Sequence, residues 1–146
     1  MTGNKAMFFD TAPFIYFIEG NEQYCMKVRN IIGECLNQKI KIITSTITYA
    51  EFCIKPYQLG KFELINIFDD LISELKINVI EINRDIAKRA AKLLSEHFFF
   101  KSMDAIQLAV CLNYKCSIFL TNDKQLKKIQ SINSMLIDDW KNQIKF

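Results

Sequence analysis

The stretch CSIFLTND, residues 116–123, places an acidic residue directly after a short apolar run. Its isoleucine, phenylalanine and leucine favour burial, whereas the carboxylate of Asp123 needs water, a counter-charge or a metal ion. The stretch AMFFDT, residues 6–11, repeats this arrangement, since a methionine and two phenylalanines run directly into Asp10. Both runs are short and apolar, which predicts two buried strands that each end at an aspartate.

The rest of the sequence alternates between strand-like and helix-like segments. Strands are predicted at residues 6–9, 40–44, 77–82, 116–121 and 134–139. Helices are predicted at residues 13–18, 21–38, 45–56, 61–75, 84–97, 103–113 and 123–130. In the first helix Thr11 is a candidate cap, and the third is expected to stop near Pro56. This alternation predicts an α/β fold with a parallel sheet covered by helices on both faces, and nothing divides residues 1–146 into more than one domain.

Composition narrows the possible classes of protein. The 146 residues suit one domain, and the net charge of +3 permits a nucleic-acid partner without requiring one. Five cysteines without a CxxC pair, together with the single His97, argue against a zinc site and suggest reduced thiols in a cytoplasmic protein. No apolar run approaches the roughly 20 residues that span a bilayer, so no membrane association is expected.

Ligands of open α/β sheets collect at the carboxyl ends of the strands, which is where Asp10 and Asp123 are expected. Glu51, near the start of the helix after the second strand, and Asp104, at the start of SMDAIQLAV, are expected at the same edge. Taken singly, Asp104 and Asp123 are better explained as helix caps or dipole partners. Glu51 and Asp10 are harder to explain in this way, because apolar residues flank them.

Four carboxylates at one edge would repel each other and raise each other's pKa. A hard divalent cation such as Mg²⁺ or Mn²⁺ would neutralise such a cluster, since it prefers oxygen ligands and keeps several waters. Bound there, it would act on phosphate by lowering the pKa of a water and stabilising charge on the departing oxygen. The set therefore predicts metal-dependent phosphate chemistry.

The sequence resembles the PIN-domain family, and within it the toxin ribonucleases of VapBC-type toxin–antitoxin pairs. The stretches that carry the resemblance, in this order across residues 6–139, are FFDTAPFIYFIEG, TSTITYAEF, SMDAIQLAV and IFLTND. The resemblance implies a sheet of order 3-2-1-4-5 and Mg²⁺- or Mn²⁺-dependent cleavage of RNA. The residues that match the acidic quartet of the family are Asp10, Glu51, Asp104 and Asp123, with Thr11, Thr121 and Asn122 beside it.

From this resemblance we expect Asp10 and Asp104 to hold the main metal ion, with Asp123 completing the site or holding a second ion. Glu51 is expected to position or deprotonate the attacking water. The resemblance also implies an antitoxin partner and a homodimer. The lysines expected to contact RNA phosphates, or equally to form only a solvated helix face, are Lys124, Lys127 and Lys128.

Two other classes of function remain open. One is a PIN-like binding module without activity, which the complete quartet disfavours. The other is an acidic-site phosphoacceptor or phosphatase of α/β fold. A dehalogenase-type phosphatase would need a second aspartate two residues after Asp10, where Ala12 stands, and a receiver would need an acidic pair where Lys5 and Ala6 stand.

The stretch HFFFKS, residues 97–102, contains three adjacent aromatic residues that cannot share one helix face. At least one is expected to be exposed or to lie under a loop. The stretch is either core packing at a helix end or a patch that receives a partner. His97 is expected to be a helix C-terminal residue rather than a catalyst.

Overall fold

The structure is a computed structural model that describes residues 5–98 and 100–141 of the chain. Its strands in these ranges are β1 (Ala6–Phe9), β2 (Lys41–Ser45), β3 (Asn78–Ile80), β4 (Ile118–Thr121) and β5 (Ser134–Leu136). Its α-helices there are α1 (Thr11–Glu19), α2 (Cys25–Asn37), α3 (Thr46–Leu59), α4 (Phe62–Glu74), α5 (Arg84–Glu96) and α6 (Ser102–Asn113). Two short 3-10 helices, Lys124–Lys128 and Ile137–Asp139, flank β5.

The strands form one parallel sheet of order β3-β2-β1-β4-β5, which confirms the predicted α/β fold and strand order. In the centre, Phe8 of β1 pairs with Ile43 of β2 and Phe119 of β4. The direction in which successive strands are added reverses between β1 and β4. In open α/β sheets this reversal creates a crevice at the carboxyl ends of the two strands.

Each face of the sheet buries its own apolar core because side chains alternate along a strand. Phe8 and Phe119 stack at a ring-centroid distance of 5.0 Å on the face covered by α5 and α6. Met7 and Phe9 point to the opposite face, which is covered by the helices α1, α2, α3 and α4. There Phe68 of α4 belongs to the same apolar core. The alternating strand residues therefore fix β1 between two helical layers.

The third helix continues past the residue at which it was expected to stop. Pro56 lies inside α3, in its last turn, and the helix ends at Gly60 with a left-handed φ of +65°. A proline this close to the end removes one hydrogen bond of the helix without interrupting several turns. Pro56 is also buried, so its ring contributes to the core. The stop signal was Gly60 rather than Pro56.

Two other helices begin at residues that differ from the predicted ones, because side chains there form hydrogen bonds with the backbone that were not expected. Asp10, not Thr11, is the N-cap of α1. The second helix begins at Cys25 because the side chain of Asn21 accepts hydrogen bonds from the N–H groups of Gln23 and Tyr24, which form a turn instead.

The aromatic stretch at residues 97–100 is split between solvent and core. Phe98 is 94% exposed and Phe100 is 8% exposed, which confirms the expectation that at least one ring is exposed. Phe99 lies outside the described residues. His97 is the C-cap residue of α5, as expected, and its ring packs 5.7 Å from that of Phe100. In the described parts of the chain, the helices are too short or too polar to cross a membrane.

Candidate active site

Asp10 lies directly after the carboxyl end of β1, the central strand of the sheet. Its Oδ1 accepts a hydrogen bond from the Thr11 N–H at 2.8 Å, and its Oδ2 accepts one from the Thr121 hydroxyl at 2.8 Å. Its own N–H donates to the Leu120 carbonyl at 2.9 Å. The carboxylate is thereby fixed between the ends of β1 and β4, at the point where the strand order reverses.

Burial raises the pKa of Asp10 from 3.8 to about 6, because the charged form loses its water. The hydrogen bonds from Thr11 and Thr121 oppose this rise, and the negative charges of Glu51 and Asp104 add to it. The expected mutual repulsion of the acids is therefore real but smaller than the effect of burial. A bound cation would lower the pKa of Asp10, because it would stabilise the buried charge and offset the repulsion from Glu51 and Asp104.

Glu51 is held by a chain of buried polar side chains. The Thr11 hydroxyl donates to Glu51 Oε1 at 2.9 Å, and the Thr48 hydroxyl oxygen lies 3.5 Å from that of Thr11. Thr48 in turn accepts a hydrogen bond from the Gln107 amide at 2.6 Å, and the Ser45 hydroxyl donates to the Gln107 side-chain oxygen. Thr48, Gln107 and Ser45 are each at most 2% exposed. This hydroxyl–amide chain links α6, the start of α3 and α1 to one carboxylate.

Asp104 and Asp123 complete the acidic edge from the side of β4. Asp104 lies in the first turn of α6, where its Oδ2 accepts a hydrogen bond from the Lys101 N–H at 3.3 Å. Burial raises the pKa of Asp104, and the charge of Asp123 raises it further. Asp123 is exposed and accepts a hydrogen bond from the Gln125 N–H at 2.9 Å. Both acids therefore act as helix caps, as expected for each taken singly. A carboxylate has about four lone pairs, so each acid keeps some that can bind a metal ion or a water.

All four acids line one open cleft of about 390 Å³. A second cleft of about 370 Å³ shares Asp10 and Asp123 and extends toward Asn122 and Lys124. Asn122 donates to the Tyr16 hydroxyl at 2.9 Å, so it shapes the wall of this second cleft. The sequence-predicted quartet is thus brought together, with Thr11 and Thr121 hydrogen-bonded to two of its members.

The donor set suits a hard divalent cation with a large water shell. Every candidate ligand is a carboxylate oxygen, as Mg²⁺ and Mn²⁺ prefer. In residues 5–98 and 100–141, no three acidic, histidine or cysteine side chains converge closely enough to enclose an ion by themselves. Mg²⁺ is commonly held by one or two carboxylates plus waters, so the cleft fits such an ion better than it fits a closed protein cage.

The three lysines expected near the acids differ in their surroundings. Lys124 lines the second cleft beside Asp123. Lys127 donates to Asp139 Oδ2 at 2.6 Å, so an acidic neighbour already compensates its charge. Lys128 lies in the same 3-10 helix, outside the residues that line either cleft.

Two residues of the site were missed in the sequence. Gln107 follows Asp104 by three positions, so helical spacing alone puts both on one face of α6. Lys55 follows Glu51 by four positions on α3 and lines the main cleft, where its Nζ lies 3.4 Å from Glu19 Oε1. In both cases the signal was the spacing from an acid that had already been singled out.

The solved structures most informative for comparison are toxin–antitoxin complexes and toxins. VapBC2 of Rickettsia felis, bound to a DNA fragment from its promoter, aligns with a TM-score of 0.71 and 17% identity over 90% of this chain and 98% of that one. A toxin–antitoxin complex of Klebsiella pneumoniae aligns with a TM-score of 0.64 and 24% identity over 86% and 94%. VapC20 of Mycobacterium tuberculosis, a sarcin–ricin-loop-cleaving toxin, aligns with a TM-score of 0.67 and 14% identity over 84% and 93%.

At these identities the similarity establishes the fold alone. A comparison with curated protein sequences gives no significant match. The PIN-domain family model, by contrast, matches residues 7–132, which include both strand-end aspartates and most of the described sheet. The chain therefore belongs to the PIN-domain family.

Proposed function

We propose that this protein is a Mg²⁺- or Mn²⁺-dependent endoribonuclease, the toxin of a toxin–antitoxin pair, formed by a single domain over residues 1–146. The observation that carries the proposal is the cleft that Asp10, Glu51, Asp104 and Asp123 line together at the strand-order reversal. The PIN fold and its likeness to toxin structures support the same conclusion.

In this proposal Asp10 and Asp104 hold the main ion, and Asp123 completes the site or holds a second ion. When bound, the cation supplies Lewis-acid chemistry, which makes a water more acidic and offsets charge on the leaving oxygen. Thr121 keeps Asp10 oriented through its hydrogen bond to Oδ2. The two hydrogen bonds on Asp10 fix the orientation of its carboxylate in the cleft. A fixed carboxylate presents its free lone pairs to a metal ion in one geometry.

Glu51 positions or deprotonates the attacking water in this proposal. The Thr11 hydroxyl donates to Glu51 Oε1, and the residue lines the cleft, so the carboxylate keeps lone pairs that can accept a hydrogen bond from a water. Because Thr11 is 8% exposed and the hydroxyl–amide chain behind it is buried, solvent has little access to this contact from the side of the protein interior. The carboxylate is then held in the position that general-base catalysis requires.

RNA binding to an acidic cleft needs cations nearby. Lys55 and Lys124 line the two joined clefts, on either side of the quartet. We assign them the main phosphate contacts, with Lys127 and Lys128 contributing less. Ile15 and Ile54 line the main cleft as well, so its wall also offers apolar surface to a nucleotide base.

The proposed protein partners are a cognate antitoxin and a second copy of the chain in the cytoplasm. Ile54, Tyr57 and Phe62 are each more than half exposed, and the last two rings pack against each other at 5.9 Å beside the cleft. We assign this apolar surface to the antitoxin, because a segment bound there would also cover the acids. Light scattering on the purified chain tests the homodimer, for which a mass of twice 17.1 kDa is expected.

Cleavage of pooled cellular RNA by the purified, antitoxin-free chain tests the function. Fragments are expected with Mg²⁺ or Mn²⁺ and none with EDTA. If cleavage fails in every metal while Mn²⁺ still binds, the substrate is narrower than the pool. If neither cleavage nor Mn²⁺ binding occurs, the chain is an inactive PIN-like binding module. Phosphate release from phosphomonoesters without RNA cleavage would instead favour the phosphatase alternative.

A further inference from the structure

Three helices of this protein end in the same backbone motif before they lead into a strand. After α2, α4 and α6 a lysine adopts a left-handed φ, namely +56° at Lys39, +52° at Lys76 and +52° at Lys115. The next N–H then donates to the carbonyl five residues earlier, from Ile40 to Cys35 at 2.8 Å, from Ile77 to Ile72 at 2.9 Å and from Cys116 to Cys111 at 3.0 Å. This motif commonly brings the side chains near its two ends into contact.

The third copy of the motif differs from the other two in the pair that it brings together. The corresponding residues of the first two copies, Cys35 with Ile40 and Ile72 with Ile77, belong to one apolar core. In the third copy both residues carry thiols, and the thiols of Cys111 and Cys116 are close enough for each to shift the pKa of the other. Among these three copies of the motif, the one at the end of α6 therefore has a thiol at both positions.

The backbone already holds these two cysteines at disulfide distance. A disulfide needs Cα atoms within about 7 Å. A 3.0 Å hydrogen bond joins the Cys116 nitrogen to the Cys111 oxygen. Because the Cα–O distance within a residue is about 2.4 Å and the N–Cα bond is about 1.5 Å, the two Cα atoms lie at most about 6.9 Å apart. Closing the bond therefore needs rotation of side chains rather than movement of α6 or β4.

The pair is also accessible to a small oxidant. Both cysteines line an open cleft of about 400 Å³ between the end of α6 and the residues before β5. Cys116 is half-buried, whereas Cys111 is 2% exposed. The interaction between the two thiols lowers the pKa of Cys116 and raises that of Cys111. By contrast, burial raises the pKa of Cys35 to about 12.

We propose that Cys111 and Cys116 are a redox modification site, which hydrogen peroxide converts to an intramolecular disulfide. In the first step the Cys116 thiolate attacks a peroxide oxygen, the O–O bond breaks, and the departing hydroxide takes a proton to leave as water. In the second step the Cys111 sulfur displaces hydroxide from the resulting sulfenic acid, and this hydroxide leaves as a second water with the Cys111 proton. Two thiols lose two electrons, and the peroxide gains them.

Thiol counting on the full chain tests the site. The reduced protein is treated with one equivalent of hydrogen peroxide, alkylated without reductant, and weighed intact by mass spectrometry. The number of alkylated cysteines is expected to fall from five to three, and peptide mapping is expected to join residues 111 and 116. Five alkylated cysteines after treatment, or a disulfide between any other pair, would overturn the proposal.

Variants separate the two thiols. Cys111→Ser is expected to stop at a sulfenic acid on Cys116, which dimedone labels. Cys35→Ala, which alters the first copy of the motif, is expected to form the same disulfide as the wild type. If Cys111→Ser does not fold, the peptide map of the oxidised wild-type protein is sufficient to test the proposed disulfide. Accumulation of a sulfinic acid on Cys116 of the wild type, with Cys111 still alkylated, would also contradict the proposal.

Discussion

The side-chain amide of Gln107 donates a 2.6 Å hydrogen bond to the hydroxyl of Thr48, across the interface between α6 and α3. Gln107 is 2% exposed, and its side-chain oxygen accepts a hydrogen bond from the Ser45 hydroxyl. Through Thr48 and Thr11 this amide is connected to Glu51, the acid assigned to the attacking water. A residue that lines neither cleft thus orients the acid that we propose as the general base.

Gln107→Leu is expected to lower kcat at least about tenfold with little change in KM, since Glu51 loses its fixed orientation. It should also cost about 2 kcal/mol of unfolding free energy, because two buried hydroxyls lose their partner. Thr44→Val is the matched control. It removes a buried hydroxyl that donates to the Phe9 carbonyl at 2.8 Å and has no link to Glu51. If both variants lose activity equally, Gln107 has only a structural role.

Asp10→Asn is expected to stabilise the chelator-treated protein at neutral pH. The pKa of Asp10 is about 6 in the folded state and 3.8 in the unfolded chain, so the folded state favours the protonated form. The stability from this group is fully present below pH 4 and is lost as pH rises through 6. The ionised carboxylate then costs roughly 3 kcal/mol, because a tenfold change in a proton-binding constant corresponds to about 1.4 kcal/mol.

Urea unfolding at several pH values in EDTA measures this difference. The advantage of Asp10→Asn over the wild type should be small at pH 4 and should grow to its full size by pH 7.5. The titrations of acids that do not interact with Asp10 cancel in this comparison. A difference that stays constant with pH would show that Asp10 is not buried in its charged form.

Gly33→Ala is expected to stabilise the protein by about 0.5–1 kcal/mol, because alanine loses less backbone entropy in a helix. Gly33 lies inside α2, and an added methyl group would meet no atom within 4 Å. Gly60→Ala serves as the opposite control, since its φ of +65° strains any L side chain. Thermal melting of both variants should move in opposite directions.

Lys55→Ala and Lys124→Ala are each expected to weaken RNA binding and to lower the salt dependence of the binding constant by up to about one unit of slope. Lys127→Ala should change this slope less, because Lys127 lines neither cleft and its ammonium group lies 2.6 Å from Asp139, closer than the 3.4 Å between Lys55 and Glu19. Fluorescence anisotropy with a labelled RNA in Ca²⁺ and varied salt measures the slopes. If Lys127→Ala weakens binding as much as Lys124→Ala does, and Lys55→Ala has no effect, the RNA lies along the 3-10 helix instead of in the main cleft.

The fold was readable from the sequence because its strands are short apolar runs between amphipathic helices. The edge where Asp10 and Asp123 lie followed from that alternation, since parallel strands direct their carboxyl ends to one side. Boundaries such as the end of α3 were not readable, because Pro56 is tolerated in a last turn and Gly60 is the stronger signal. The spacing of Gln107 from Asp104 indicates only that both lie on one face of α6. Its hydrogen-bond partners are 59 and 62 residues away, so they were not readable from local periodicity.

The most direct test of the central claim is single-turnover cleavage of an RNA pool in Mn²⁺ by the wild type, Asp10→Asn and Asp70→Asn. Asp70 is an exposed acid on α4 that lines neither of the two clefts, so it matches the chemical change without touching the proposed site. We predict that cleavage is lost with Asp10→Asn and retained with Asp70→Asn, while both variants stay folded. Cleavage by folded Asp10→Asn at the wild-type rate would contradict the assignment of this cleft as the active site.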